Sequence, residues 1–301
     1  MLAAVAAHGD LLHSGVEQAR NRKWREAAGT LQRAVHEHPD SHDAWYWLGA
    51  SQFYTQAFEA ALKSLERARA LLPSHSPTHR TMGLVYLQLE RPNDAYNSWL
   101  RALELNPRDP ETCYYVARLF FEHKVYDRAE RWFRQTLEFH PGDHRALLYL
   151  GLTKENEGDG AAAVALFRKS IEKSKENKQP YAWAYWSLGR TLRRSGELAE
   201  ARAVLSEGER IAPDARVLTE LAQVLLHAGE TEGVEALLRR AVTLEPEYAQ
   251  ARYVLAGVLR SSGRISESKS ELAVFERLRT AQPRRVSAAQ ETITTSSPAH
   301  N

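Results

Sequence analysis

Cysteine is almost absent from this chain of 301 residues, because Cys113 is the only one. A disulfide bond within the chain is therefore excluded. Long apolar runs are missing as well, and none approaches the ~20 residues that a membrane-spanning helix needs. Neither sign of charge dominates, since 40 basic residues accompany 38 acidic residues and the net charge is +2. A charge so close to zero does not favour nucleic acid or a membrane surface as a partner.

The residue patterns of common enzyme and metal sites are also missing. Gly158 and Gly160 are not followed by the Lys-Ser/Thr ending of a phosphate loop. The histidines cluster at predicted turns without a cysteine or carboxylate set to complete a metal site, and we expect them to be solvated. The three clusters are His36, His38 and His42, then His75 and His79, then His140 and His144. We therefore expect no catalytic residues, no metal site and no cofactor.

The feature that is present is an internal repeat with a period of 34 residues. Alanine, proline and a small residue each recur at this step, and three residue types sharing one period indicate a repeat architecture. The alanines are Ala27, Ala61, Ala95, Ala129 and Ala163; the prolines are Pro39, Pro73, Pro107 and Pro141; the small residues are Gly15, Gly49, Gly83, Ala117 and Gly151.

Each repeat unit contains two helical patterns. In the second unit Trp45, Leu48 and Gly49 lie on one helical face, and Ala61 and Leu65 lie on another. The spacing predicts a helix, a short turn and a second helix. A glycine inside a helix costs about 1 kcal/mol relative to alanine, so its recurrence predicts a close helix crossing that offsets this cost. Cys113 occupies the position of Trp45 two periods later, and we expect it to be a small core residue rather than a nucleophile.

The pattern resembles the tetratricopeptide repeat, whose signature combines an aromatic residue, Leu-Gly, alanines, a second aromatic residue and a final proline. The second unit carries Trp45, Leu48, Gly49, Ala61, Leu65, Ala68 and Pro73. The third carries Met82, Gly83, Tyr86, Ala95, Trp99, Ala102 and Pro107. The resemblance implies an all-α, right-handed superhelical solenoid of about eight helix-turn-helix repeats.

The register slips once along the chain. The landmarks Gly189, Ala201 and Pro213 come four residues late, and the extra residues lie near 172–180. Since four residues make about one helical turn, we expect a longer second helix in the fifth unit. The resulting units are 8–41, 42–75, 76–109, 110–143, 144–181 with the insertion, 182–214, 215–248 and 249–282.

The two ends depart from the repeat. Residues 283–301 are rich in Ser, Thr and Ala without helical periodicity, which predicts a disordered tail. Residues 1–7 fit either a frayed first helix or the remnant of a targeting segment. The first interpretation predicts a cytoplasmic protein, and the second predicts a periplasmic or secreted one.

The resemblance also implies that the first helices of the pairs line a concave binding groove. One position after the core residues, a second series runs along these helices and is rich in arginine and aromatic residues, which are enriched in binding hot spots. The candidate peptide-binding residues on this face are Tyr46, Arg80, Tyr114, Arg118, Arg145, Trp186, Arg190 and Arg193. Because the series contains no lysine and no asparagine, we do not expect the carboxylate clamp of chaperone-binding repeats.

The favoured function is a non-catalytic scaffold that binds a peptide or protein segment in this groove. The excess of arginine on the face favours an acidic segment, because unpaired like charges repel one another. Neither Arg118 nor Arg190 lies among the core residues, so charge reversal at both is expected to spare the fold. Two alternatives stay open: an assembly or regulatory subunit that uses its edge or convex face, and a repeat module detached from an enzyme or secreted protein. The sequence does not indicate the oligomeric state.

Overall fold

The structure is a computed structural model that describes the backbone of residues 2–281 and the side chains of residues 11–280. Over this range the chain is all-helical. The sixteen helices, in chain order, are α1 Leu2–Arg20, α2 Trp24–Glu37, α3 His42–Tyr54, α4 Phe58–Leu71, α5 Ser76–Gln88, α6 Pro92–Leu105, α7 Pro110–Glu122, α8 Tyr126–Phe139, α9 His144–Asn156, α10 Gly160–Glu176, α11 Ala182–Ser195, α12 Leu198–Ile211, α13 Ala215–His227, α14 Val234–Leu244, α15 Ala249–Ser261 and α16 Ile265–Ala281. The expected disordered tail, 283–301, lies outside the described residues.

Short side chains set the beginnings of several helices. Ser41 accepts a hydrogen bond from the backbone N–H of Ala44 at the start of α3, and Asp143 accepts one from Ala146 at the start of α9. Such N-caps satisfy backbone donors that have no partner within the helix. Proline stands in the first turn of α5, α6 and α7, where its missing N–H costs nothing.

Helix α10 lies where the register slips. It contains 17 residues, whereas α4, α6, α8 and α12 contain 14 each. The loop after it, residues 177–181, is also one residue longer than the loop 140–143 that follows α8. The three extra residues of α10 and the one extra residue of the loop account for the slip of four. The face of α10 that carries Ala163 and Phe167 stays buried.

The helix crossings depend on glycine. A Cβ atom added to Gly83 would lie 2.2 Å from the indole nitrogen of Trp99, and one added to Gly49 would lie 2.6 Å from Leu65. Gly151 and Gly189 would meet Phe167 and Leu205 in the same way. In these four helix pairs the large side chain on the second helix therefore occupies the space that the glycine leaves open on the first helix.

The turns within the helix pairs share one backbone feature. At the same position of each turn a residue adopts a positive φ, a region that favours glycine. The residues are Arg22, Gln56, Glu90, Lys124, Gly158, Gly196, Gly229 and Gly263.

The chain forms two compact units, which divide between His123 and Lys124. In the first unit the buried side chains include Leu31, Leu48, Leu65, Trp99 and Phe120. In the second unit they include Phe133, Phe167, Leu188, Leu205 and Leu238. No helix within the described residues is long and apolar enough to cross a membrane.

Candidate functional site

Two tryptophans lie on α11, the first helix of its pair, in the second of the two compact units. Trp183 and Trp186 lie one turn apart on α11, and their rings meet edge to face with centroids 5.5 Å apart. The guanidinium carbon of Arg190 lies 4.3 Å from the centre of the Trp186 ring, and that of Arg216 lies 4.7 Å from the centre of the Trp183 ring. These cation–π contacts hold both indoles in place. Trp183 nevertheless remains 41% exposed. We call Trp183, Trp186, Arg190 and Arg216 the tryptophan cluster.

The arginines predicted for this unit all have a carboxylate partner. Arg190 donates a 2.5 Å hydrogen bond to Glu155 on α9, and Arg193 donates one of 2.5 Å to Glu220 on α13. Both pairs link first helices of neighbouring helix pairs. The guanidinium groups therefore stabilise the packing of successive helix pairs.

Arg145 pairs with Asp143, just before α9, at 2.7 Å. Burial raises the pKa of Asp143, but the hydrogen bond and charge of Arg145 outweigh burial and lower that pKa overall. Because Asp143 is 2% exposed and also caps α9, Arg145 supports the local fold of this helix start.

Arg216 was not among the residues predicted from the sequence. It bonds Asp214 at 2.8 Å and lies 3.6 Å from Glu245, while its guanidinium lies 5.9 Å from the ring centre of Tyr248. Burial raises the pKa of Tyr248 to about 12. Arg216 is the second residue of α13. Its signal in the sequence was its i,i+2 spacing from Asp214, which suits an N-cap contact.

The candidate residues of the first unit are packed more tightly. Arg80 pairs with the nearly buried Asp109 at 2.7 Å, and Tyr46 stands edge-on to His75 with ring centroids 4.9 Å apart. Burial raises the pKa of Tyr46. Tyr114 is 4% exposed, so it offers a ligand very little surface. Arg118 is the most open member of this group, at 39% exposure, and pairs with Glu122 of the same helix at 2.6 Å.

The charge balance differs from the expectation that an arginine-rich face carries unpaired like charges. Each of the five predicted arginines has a carboxylate within hydrogen-bonding distance. Glu155, the partner of Arg190, lies on the first helix α9. Asp109 and Asp143 lie in the loops just before α7 and α9, Glu122 lies on the same helix as Arg118, and Glu220 lies on the neighbouring first helix α13.

The histidines correct the expectation that all of them are solvated. His79 and His144 are buried, at 7% and 8% exposure, because each lies in the first turn of a helix that packs against its neighbour. His79 donates a 2.9 Å hydrogen bond to the carbonyl of Pro73, and His144 stands edge-on to Tyr181. Within the described residues no three His, Cys, Asp or Glu side chains form a group suited to a metal ion.

Cys113 is a core residue, as the repeat position predicted. It is fully buried on α7, and burial raises the pKa of its thiol to about 12. A thiol with such a pKa carries almost no thiolate at neutral pH, so it is a poor nucleophile.

Comparison with known families supports the repeat pattern. A family model described as tetratricopeptide repeat matches residues 14–76, 80–144 and 117–178. A second model with the same description matches residues 156–224.

Two curated proteins illustrate the similarity. The chain is 23% identical to BBSome complex member BBS4 of Bos taurus over 213 residues, which cover 70% of this chain and 40% of that protein. It is 25% identical to Protein O-mannosyl-transferase TMTC3 of Homo sapiens over 258 residues, which cover 85% of this chain and 26% of that protein. The chain thus spans less than half the length of these relatives.

Solved structures show the same fold at low identity. The Cut9–Hcn1 hetero-tetramer of APC/C matches with a TM-score of 0.66 and 19% identity, covering 84% of this chain and 48% of that chain. Yeast Tom70 matches with a TM-score of 0.65 and 17% identity, covering 91% of this chain and 57% of that chain.

Proposed function

Since the chain belongs to the tetratricopeptide repeat family, we propose that it is a non-catalytic scaffold that binds a peptide or protein segment on its first helices. Proteins of this family generally mediate protein–protein interactions. The observation that supports this site most strongly is the exposure of Trp183 within the tryptophan cluster. A large aromatic surface whose orientation is already fixed loses little conformational entropy when a ligand covers it.

The charge balance bears on the kind of ligand. Because the predicted arginines are already paired, net attraction for an acidic segment is weaker than their number suggests. Arg194 is the more available guanidinium, since it is 61% exposed and lies 3.4 Å from Glu155. We therefore propose that a ligand side chain packs on Trp183 and that ligand carboxylates, where present, contact Arg194. Aromatic contact then supplies most of the affinity, and acidic character adds to it.

The test is selection of peptide ligands followed by mutation of the anchor. Random dodecapeptides displayed on phage are selected on the whole chain, and the affinity of each selected peptide is measured by calorimetry. Trp183→Ala should weaken binding roughly 30-fold, which is the effect of removing a hot-spot residue. Leu244→Ala is the matched control, since Leu244 is also an exposed apolar residue, at 54%, but lies on the second helix α14.

The outcome separates the proposed face from other surfaces. Selected peptides that bind wild type and Trp183→Ala equally would move the binding surface away from the tryptophan cluster. Thermal melting of both variants verifies that the substitutions leave the fold intact.

A second candidate is a subunit of a larger assembly that makes contact through its edge or convex face. Two of the similar proteins are by name parts of complexes, the BBSome complex member and the APC/C hetero-tetramer. This candidate predicts a stable complex on co-purification from the native source that Trp183→Ala does not disrupt. A complex lost in Trp183→Ala but retained in Leu244→Ala would favour the first candidate.

A further inference from the structure

The turn between α1 and α2 borders a cleft of about 560 Å³ in the first unit. The α1–α2 turn and the turn between α3 and α4 form its walls. We call it the turn cleft, and its lining residues are Arg22, Lys23, Trp24, Arg25, Glu26, Tyr54, Thr55 and Gln56. None of these residues is among the candidate peptide-binding residues, which form the first-helix face, or in the tryptophan cluster.

An exposed aromatic residue forms one wall of the turn cleft. Tyr54 stacks on Trp24 with ring centroids 4.0 Å apart and an angle of 16° between the planes. Phe53 meets Tyr54 edge to face at 5.3 Å. Although these contacts fix the tyrosine ring, it remains 55% exposed. The ring is therefore an oriented surface on which another flat side chain can stack.

The cations of the turn cleft are paired less closely than those of two equivalent turns. In the α5–α6 turn Arg91 pairs with Asp94 at 2.7 Å, and in the α15–α16 turn Arg264 pairs with Glu267. The equivalent pair in the α1–α2 turn, Lys23 with Glu26, is looser at 3.6 Å.

Two further cations flank that loose pair. Arg22 and Arg25 are exposed, and neither forms an ion pair with any residue that the structure describes. The turn cleft therefore carries two guanidinium groups in excess of its carboxylates, in contrast to the neutralised first-helix arginines.

We propose that the turn cleft binds an acidic protein segment that carries an aromatic side chain. The aromatic ring stacks on Tyr54, and carboxylates on either side of it pair with Arg22 and Arg25. Guanidinium groups suit this role because their planar fork hydrogen-bonds both oxygens of a carboxylate. Single-stranded nucleic acid is disfavoured, because it needs a positively charged groove that follows several phosphates, and Glu26 lies in this lining.

The probe is a fluorescein-labelled octapeptide in which two aspartates lie on each side of one phenylalanine. Its affinity for the whole chain is measured by fluorescence anisotropy, beside a peptide with asparagine in place of every aspartate. The acidic peptide should bind saturably. The double variant Arg22→Gln/Arg25→Gln should weaken it about tenfold, because two charge-assisted contacts are lost. The asparagine peptide should bind wild type as weakly as the acidic peptide binds the double variant.

One control tests whether the charge must lie at the turn cleft, and a second tests whether the ring of Tyr54 contributes to binding by stacking. Lys124→Gln removes a cation at the position of the α7–α8 turn that corresponds to Arg22, with the same positive φ, and should change the affinity less than about twofold. Tyr54→Phe should bind like wild type, whereas Tyr54→Ala should bind about fivefold more weakly. Trp183→Ala should leave this affinity unchanged, so that the turn cleft and the first-helix face are tested independently.

Several results would overturn the proposal. They are the absence of saturable binding up to millimolar concentration, equal affinity of the asparagine and aspartate peptides, and an equal effect of Lys124→Gln and the double variant. Tighter binding of an eight-nucleotide uridine oligomer than of the acidic peptide would replace a protein segment with RNA as the partner. If Tyr54→Ala proves unfolded on thermal melting, the double variant and the asparagine peptide still decide the outcome.

Discussion

Glu155 on α9 accepts a 2.5 Å hydrogen bond from Arg190 on α11, and the two side chains are only 16% and 18% exposed. The hydroxyl of Thr191 lies 3.2 Å from the same carboxylate and 2.9 Å from the carbonyl of Ser187, and it shares its proton between them. One acid thus connects the first helices of two successive helix pairs. Arg190, which the sequence predicts only as a peptide-binding residue, therefore also takes part in the packing between repeats.

Charge reversal at Arg190 should be destabilising. Arg190→Glu places a carboxylate opposite Glu155 in a mostly buried position, and we expect a loss of about 2–4 kcal/mol in the free energy of unfolding. The swapped pair Glu155→Arg/Arg190→Glu should recover part of that loss. Guanidinium denaturation measures both variants.

Arg118→Glu is the comparison variant, because Arg118 is 39% exposed and its partner lies on the same helix. It should cost less than about 1 kcal/mol. The contacts of Arg190 thus change the expectation that reversal at both positions spares the fold. Equal stability of Arg190→Glu and wild type would show that the pair with Glu155 does not support the packing.

Alanine substitution at two helical glycines should change the free energy of unfolding in opposite directions. Gly83→Ala pushes a methyl group against the Trp99 ring and should destabilise by about 1–3 kcal/mol. A Cβ added to Gly257 on α15 meets nothing within 4 Å apart from its chain neighbours and its own helix backbone, so Gly257→Ala should stabilise by up to about 1 kcal/mol through helix propensity alone. Denaturation midpoints measure both effects. A stabilising Gly83→Ala would contradict the assigned close contact.

The turn position with positive φ should favour glycine wherever another residue occupies it. Lys124 has φ 60° in the α7–α8 turn, and Gly196 has φ 86° in the α11–α12 turn. Lys124→Gly should stabilise by a few tenths to about 1 kcal/mol, since relief of strain exceeds the entropy that glycine adds to the unfolded chain. Gly196→Ala should destabilise by about 1 kcal/mol. Calorimetric melting temperatures that move in the opposite directions would refute this explanation of the turn.

Two histidines should make stability depend on pH. Burial lowers the pKa of His144, and burial together with the nearby His42 lowers that of His75, from the ordinary 6.5. A histidine whose folded pKa is lowered binds fewer protons in the folded than in the unfolded state. Its stabilising contribution is therefore complete above pH 6.5 and declines as the pH falls below 6.5 toward the folded pKa.

The double variant His75→Gln/His144→Gln should consequently lose less stability than wild type between pH 7.5 and pH 5.5. Urea denaturation at the two pH values measures the difference. His36→Gln is the control, because His36 is exposed in the last turn of α2, and it should follow wild type. If the double variant shows the same pH dependence as wild type, other groups account for it.

The repeat alone determined the helix pairs, the small residues at their crossings and the burial of Cys113. These features depend on which face of a helix a residue occupies, and that face follows from spacing of three and four residues along one segment. The contact between Gly83 and Trp99 is of this kind, because both partners belong to the same helix pair and recur with the period.

The tertiary structure decided which side chains are available to a partner. Arg190 and Glu155 are 35 residues apart, and Arg193 and Glu220 are 27 apart, so their pairing depends on how neighbouring helix pairs pack. Periodicity places an arginine on a face but cannot show whether a loop or the next helix supplies its carboxylate. The exposed ring of Trp183 and the unpaired guanidinium groups of the turn cleft become visible only when those side-chain partners are known, because exposure and charge pairing are properties of the packed surface.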